Sequence, residues 1–345
     1  MIVPAKKAAC LVDRLVTGLS LVLLALEVPP LAIEQEIGAV RSSPIGSINS
    51  RRVVGSGNEL VFQLEHQLAF RPNLTLLEHA VRLAETPMSL IESCLAACRR
   101  LGAAVAEHEP VIGIPVTAGR VAGVETERRS ISAPVVVDAA GGWVRQVAEL
   151  AGVSVPLAPV RHQLLITGPT AQVDPDDPIA RVVDAAVYLR PARGGLMVGG
   201  FEPDPLPVDL REQSVSFSTD DLPLDLGVLR RMADQVAAEV PAAVTAPVAE
   251  HRGGLFTMSP DGRFVAGPVP DLPGLWVASG CNGSGFSSSL ALGEALASWI
   301  TTGAPPPGME AFSPGRFAPL PDDALVSRGL WQYAHYYDPV LAPTA

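Results

Sequence analysis

The stretch "GCNGSGFSSSLALGEALASWI" (280–300) carries the clearest chemical signal in this 345-residue chain. Three glycines in a short turn precede an apolar, helix-forming run. Gly280, Gly283 and Gly285 permit close backbone approach, while Asn282, Ser284 and Phe286 line the turn. A helix N-terminus behind such a turn attracts anions, because its free N–H groups and the helix dipole both favour negative charge. Taken alone, the loop fits either a phosphate or cofactor cradle or a tight turn in any α/β protein. A dinucleotide fold carries its glycines behind the first strand, whereas these come late. "DAAGGW" (138–143) is a second glycine turn, where Gly141 and Gly142 either let a ligand approach or end a buried strand.

Other chemistry is sparse. No G-x-S-x-G, H-E-x-x-H or Cys/His constellation is present, so neither nucleophilic nor metal-assisted catalysis has its usual residues. Cys94 and Cys98 lie four apart on a helix-like segment without histidines at ligand spacing, and read as small buried side chains. With Cys10 and Cys281 they make four cysteines but no disulfide framework. In "VYLR", Tyr188 and Arg190 alternate and so face one side of a strand; the neighbours Arg161 and His162 face opposite sides. Arg263 sits on the turn "PDGR". Each of these also reads as a surface charge or a packed strand residue.

The elements that must position these residues follow from composition and periodicity. The chain is 48% hydrophobic and 18% charged, enough for one large or two modest cores. A net charge of −11 with scattered acids suits solubility, and the lack of a basic stripe argues against nucleic-acid binding. The apolar run "LVTGLSLVLLAL" (15–26) is too short to span a bilayer. Asp13 and Glu27 flank it and no cleavage site is evident, so the expectation is a buried element in a cytoplasmic protein without membrane association. Residues 88–101 read as a helix, "AAVAEHEPVIGI" as a strand and "GRVAGVETERRSISA" as a hairpin-like pair. "PVVVDAAGGW" is a buried strand running into a turn. The middle changes character: "VRHQLLITGP", "AAVYLRPARGGLMVGGFE" and "SVSFSTD" suggest an antiparallel sheet, followed by an amphipathic helix at 226–243 stopped at Pro241. The order implies an α/β fold with an antiparallel sheet domain inserted into a cofactor domain.

Together, "APVVVDAAGGWVRQVAELAGVSVPLAPVRHQLLITGP", "VYLRPARGGLMVGGFE" and "GGLFTMSPDGRFVAGPVPDLPGLWVASGCNGSGF" resemble the glycine and D-amino-acid oxidase (DAO) family of FAD-dependent oxidoreductases. The nearest part is its sarcosine and dimethylglycine dehydrogenase branch. The resemblance runs from about residue 88 to 310 and is specific for family, not for substrate. It implies FAD lying extended between two domains, with the late loop near the flavin. The family usually has asparagine where this chain has Asp138. The family also opens with a strand, GxGxxG and an acidic residue. Here the candidate is Gly55 and Gly57 with Leu60 in the third glycine's place and Glu78 closing "LTLLE". The chain therefore reads as a member with a shortened or degenerate N-terminal part. Residues 1–87 are an atypical segment with a possible βαβ unit at 51–80; 88–158 and 250–310 are FAD-binding segments. Residues 159–249 are the antiparallel substrate domain, and 311–345 a tail.

The resemblance implies oxidation of a CH–NH bond in a small sarcosine-, dimethylglycine- or glycine-like amine, with hydride transfer to flavin N5. Such a site needs a cation for the substrate carboxylate and groups that favour the neutral amine. Candidates are His162, Tyr188 and Arg190 for catalysis. For the cofactor they are Gly141, Gly280, Asn282, Gly283, Ser284, Gly285, Phe286 and Arg263, with no metal. Oxygen or a carrier protein would take the electrons. The alternative is a catalytically inactive member acting as a binding or subunit-interaction module. The aromatic tail "GLWQYAHYYDPVLAPTA" (329–345) is expected to clamp onto the body or a partner subunit.

Overall fold

The computed structural model describes residues 87–338 except 215 and 216, together with two short strands, β1 (Ile2–Pro4) and β2 (Leu23–Glu27). Gly55, Gly57, Leu60 and Glu78 lie outside the described residues. Helix α1 (Pro87–Arg100) follows the apolar spacing and closes on Arg99 and Arg100, whose charge suits the carbonyl end, before Gly102 turns the chain with φ +83°. The strand expected before residue 114 contracts to β3 (Val111–Gly113), because His108 adopts φ +54° and Pro110 supplies no N–H. Next come β4 (Val116–Thr117), β5 (Arg120–Val121), β6 (Gly123–Thr126) and β7 (Ser130–Ser132), which with β3 make two small antiparallel sheets.

Strand β8 (Val135–Asp138) leads through a 3-10 turn at Gly141–Trp143 into α2 (Val144–Glu149). The middle of the chain holds β9 (Ala158–Thr167), β10 (Ala180–Val182), β11 (Val187–Ala192), β12 (Gly195–Gly200), α3 (Leu226–Gln235), α4 (Ala242–Thr245) and β13 (Val248–Met258). The last part holds β14 (Val265–Pro268), β15 (Leu275–Ser279), α5 (Gly285–Thr302) and α6 (Asp322–Ala334).

Two sequence expectations fail here. The helix expected at 226–243 ends at Gln235: Val236 leaves helical geometry at φ −112°, ψ 8° with its side chain fully buried, and Pro241 opens α4 instead of stopping α3. The described part of "SVSFSTD" is not a strand, because Ser218 caps a 3-10 turn over Thr219–Asp221 in a reciprocal capping box.

One sheet has the order β1-β2-β8-β15-β14, with β8 and β15 parallel and β2 antiparallel to β8. Val137, Ala139, Ala266 and Ala278 on one face pack against Ala295, Leu296 and Trp299 of α5. Val136, Leu275 and Val277 on the other pack against Val144, Val147 and Ala148, and against the small sheets. The second sheet, β10-β11-β12-β9-β13, is antiparallel throughout. It enters the chain between β8 and β14, both members of the first sheet. Leu165, Val187, Leu189 and Val198 bury one of its faces on Leu229, Met232 and Ala233 of α3. The other face is left for α6 and for the site. Among the described residues no helix is long and apolar enough to cross a membrane.

Candidate active site

The loop between β15 and α5 is held by its own side chains. Asn282 is buried at φ +47°; its Nδ2 donates to the Gly280 carbonyl at 2.5 Å and to Ser259 Oγ at 3.2 Å, and its Oδ1 accepts the Ser259 N–H at 2.9 Å. Gly280 (φ +66°) and Gly283 (φ +81°) occupy left-handed backbone that favours glycine. A Cβ at 280 would stand 2.9 Å from Leu157 and from the Val265 nitrogen; one at 283 would stand 3.0 Å from the Phe256 ring. The turn and its packing therefore account for both glycines without a ligand. Ser284 Oγ bonds the Tyr336 hydroxyl at 3.1 Å. No side chain caps α5, and Phe286 stands 45% exposed in its first turn.

Because β8 and β15 run parallel, their carboxyl ends lie side by side. Between them and α5 is a narrow apolar crevice lined by Ala139, Ala278, Cys281, Gly285 and Gly293 together with the larger Phe264, Leu292 and Leu296. Asp138 alternates with Val137 and Ala139 and so points to the other face of the sheet. It is fully buried: Oδ1 accepts the Ala140 N–H at 3.0 Å, while Oδ2 has no partner. Burial raises its pKa well above the carboxylate range. Gly141 turns the chain at φ +58°, and Gly142 packs its Cα against Leu255.

The open face of the antiparallel sheet gathers His162, Tyr188 and Arg190. Register makes this possible: Tyr188 faces Gly199, Arg190 faces Met197 and His162 faces Gly254. A Cβ at 199 would lie 2.3 Å from the Tyr188 hydroxyl, so glycine there lets the phenol lie across the strand. A Cβ at 254 would meet nothing within 4 Å, so the face is open at that point. His162 stacks on Phe256 with centroids 4.1 Å apart. Both its nitrogens are engaged, Nδ1 with Tyr333 Oη at 2.6 Å and Nε2 with Tyr188 Oη at 2.8 Å. Burial pushes its pKa down to about 3, so the ring is neutral and lacks a free lone pair for a ligand. A neutral ring with both nitrogens engaged does not suit a general base, and His162 is a packed strand residue.

Arg190 is half-buried; its one hydrogen bond among the described residues goes from Nη1 to the Pro191 carbonyl, and none of their carboxylates pairs with it. Arg161 points to the opposite face, as strand pairing places it, where Nη2 meets Glu202 at 2.7 Å and Nη1 the Pro223 carbonyl while its buried Nε has no partner. Arg263 does not join these residues: its side chain is exposed on the turn before β14. Sequence reading missed Tyr333, Phe256, Gly199 and Gly254. Only the aromatic tail hinted at the first. The described part of the tail, through Asp338, packs onto the body: Tyr333 is fully buried, and Tyr336 stacks on Phe201 at 3.9 Å.

A parallel strand pair ending at a glycine turn and an uncapped helix, with a separate antiparallel sheet inserted between β8 and β14, defines a two-sheet α/β fold. The chain belongs to the FAD dependent oxidoreductase (DAO) family, whose model matches residues 60–299. A model for a domain of unknown function, DUF6933, matches residues 1–94. The human mitochondrial sarcosine dehydrogenase is 34% identical over 221 residues, covering 63% of this chain and 24% of that protein. The mouse mitochondrial dimethylglycine dehydrogenase is 30% identical over 243 residues, covering 67% and 27%. The chain thus spans about a quarter of the length of these relatives. Among solved structures, L-proline dehydrogenase from P. horikoshii superposes with a TM-score of 0.57 at 24% identity, over 67% of this chain and 59% of that one.

The family is FAD dependent, and the described residues fit part of such a group. The uncapped N–H groups of α5 offer donors for an anion. The crevice beside them is apolar but narrow, so the fit rests on the helix N-terminus.

Proposed function

We propose that this chain oxidises the CH–NH bond of a small amine or amino acid bearing a carboxylate, of the sarcosine, dimethylglycine or glycine type. The observation that carries the reading is Arg190: a half-buried guanidinium without a carboxylate partner among the described residues, on an open sheet face beside the Tyr188 hydroxyl. A guanidinium and a phenol on one face suit a carboxylate oxygen pair. Phe286, Gly285 and the α5 N-terminus, with the Gly141 turn, would hold FAD. When bound, FAD would supply a two-electron acceptor: the C–H bond beside nitrogen would break, hydrogen and electron pair would leave together as hydride, and an iminium ion would remain for water to hydrolyse.

The protein's part is positioning. Arg190 anchors the carboxylate and so fixes where the reacting carbon lies. The aromatic wall of Phe256, Phe201 and Tyr336 excludes water from the sheet behind it. His162 stays neutral and adds no positive charge, which leaves the substrate nitrogen free to be the neutral amine that oxidation requires. Oxygen or a carrier protein is the electron acceptor in this proposal.

The test is the visible spectrum of the purified chain after FAD is added and the excess removed, then anaerobic titration with sarcosine, dimethylglycine and glycine. Retained flavin bands that bleach with one of these amines, and that need at least about tenfold more amine in Arg190→Ala, support the proposal. Retained bands that none of the amines bleaches would refute it. A colourless protein would favour the inactive binding or subunit-interaction module.

A further inference from the structure

The hydrogen bonds around His162 have a direction that the distances alone do not state. A neutral imidazole has one N–H and one lone pair, so it donates to one tyrosine and accepts from the other. Tyr333 is fully buried, and His162 Nδ1 at 2.6 Å is the one acceptor its hydroxyl finds among the described residues. If Nδ1 carried the proton, the Tyr333 O–H would be a buried donor with nothing to bond, which is costly because its desolvation goes uncompensated. Tyr333 therefore donates to Nδ1, and the imidazole proton sits on Nε2. Nε2–H then donates to Tyr188 Oη at 2.8 Å. Tyr188 has accepted, and its own proton must go elsewhere.

Tyr188 is partly exposed on the open face, and among the described residues no second acceptor bonds its hydroxyl. We infer that Tyr333 is a positioning residue: by giving its proton to His162 Nδ1 it holds the imidazole as the Nε2–H tautomer and so fixes Tyr188 as a hydrogen-bond donor toward the ligand. Tyr188 has the Tyr337 phenol and the guanidinium groups of Arg190 and Arg181 within electrostatic range. The face thus selects hydrogen-bond acceptors carrying negative charge, and disfavours an ammonium or hydroxyl donor at the same place. This rests on the substrate face described under the proposed function, and specifies how that face tells a carboxylate from other groups. The ring stack on Phe256 and the T-shaped contact with Tyr333 prevent the imidazole from flipping to exchange its two nitrogens.

Imidazole 15N spectra of the histidine-labelled full chain, without cofactor or substrate, test the relay directly; His162→Gln assigns the signal. The expected result is a protonated Nε2 and an unprotonated Nδ1. A protonated Nδ1 in the unmodified protein overturns the inference and needs no variant. In Tyr333→Phe the ring loses its fixed proton donor, and the Nδ1 signal moves toward the tautomer average. An unmoved signal would assign the lock to packing alone and refute the role of Tyr333.

The ligand side is read by titrating acetate and dimethylamine separately. Tyr188→Phe should weaken acetate binding at least about tenfold, as loss of a hydrogen bond to a charged group does, and leave dimethylamine unchanged. Equal weakening of both, or of neither, would overturn the donor assignment. These readouts need no turnover. A locked tautomer in a protein that never bleaches with amines would sink the proposed oxidation and leave the relay standing.

Discussion

The burial of His162 makes a quantitative prediction about acid stability. Its pKa falls from 6.5 to about 3 on folding because the desolvated interior disfavours the imidazolium. A depressed folded value contributes stability that is fully present above pH 6.5 and is lost as pH falls from there toward 3. Below about pH 6 the loss approaches 1.4 kcal/mol per pH unit, so between pH 7.5 and pH 5 it sums to about 2 kcal/mol. That figure is insensitive to the folded value as long as it lies well under the lower pH of the interval. His162→Gln keeps a donor and an acceptor for the two tyrosines but has nothing to titrate.

Urea unfolding at pH 5, 6 and 7.5, run on both proteins, isolates the effect, since His251, Asp261 and the surface carboxylates titrate alike in each and cancel in the difference. The unmodified protein should lose about 2 kcal/mol more than the variant over that interval. Parallel curves for the two proteins would mean that His162 is solvated or charged in the fold, and the neutral-ring argument would fall with it.

Asp138 predicts the opposite sign. Its folded pKa is raised by burial, so its stabilising contribution is complete below the unfolded value of 3.8 and is lost as pH rises through the folded value. Asp138→Asn should therefore be more stable than the parent at pH 8, with the advantage vanishing near pH 4 in the same urea assay. Gly283→Ala forces a side chain into backbone at φ +81° and to 3.0 Å from the Phe256 ring. It should cost about 1–3 kcal/mol, visible as a lowered thermal midpoint, whereas alanine at Gly254, which has open space, should cost under about 1 kcal/mol.

What could be read from the chain and what could not divides along physical lines. Alternation in "VYLR" and "VRHQ" put Tyr188 with Arg190 on one side of a strand and Arg161 and His162 on opposite sides of another, because side chains in a strand alternate whatever the strand packs on. Which of the two joins Tyr188 was decided by strand pairing. The buried strand "VVVD" and the late helix declared themselves by local apolar patterning. Length was harder: the helix begun at Leu226 breaks at Val236 because the sheet core takes that side chain, a preference no local window contains.

The loop at 280–286 shows the same limit more sharply. Its glycines were visible, but their physical reason is partly Leu157, Val265 and Phe256, residues brought there by other elements. The state of His162 was least legible of all. The sequence by itself determined which strand it lies on and that it faces away from Arg161. Only the tertiary structure, bringing Tyr333 across 171 positions to Nδ1 and Tyr188 to Nε2, decided that the ring is neutral and spoken for. Protonation depends on desolvation and on partners, and both exist only once distant segments have packed.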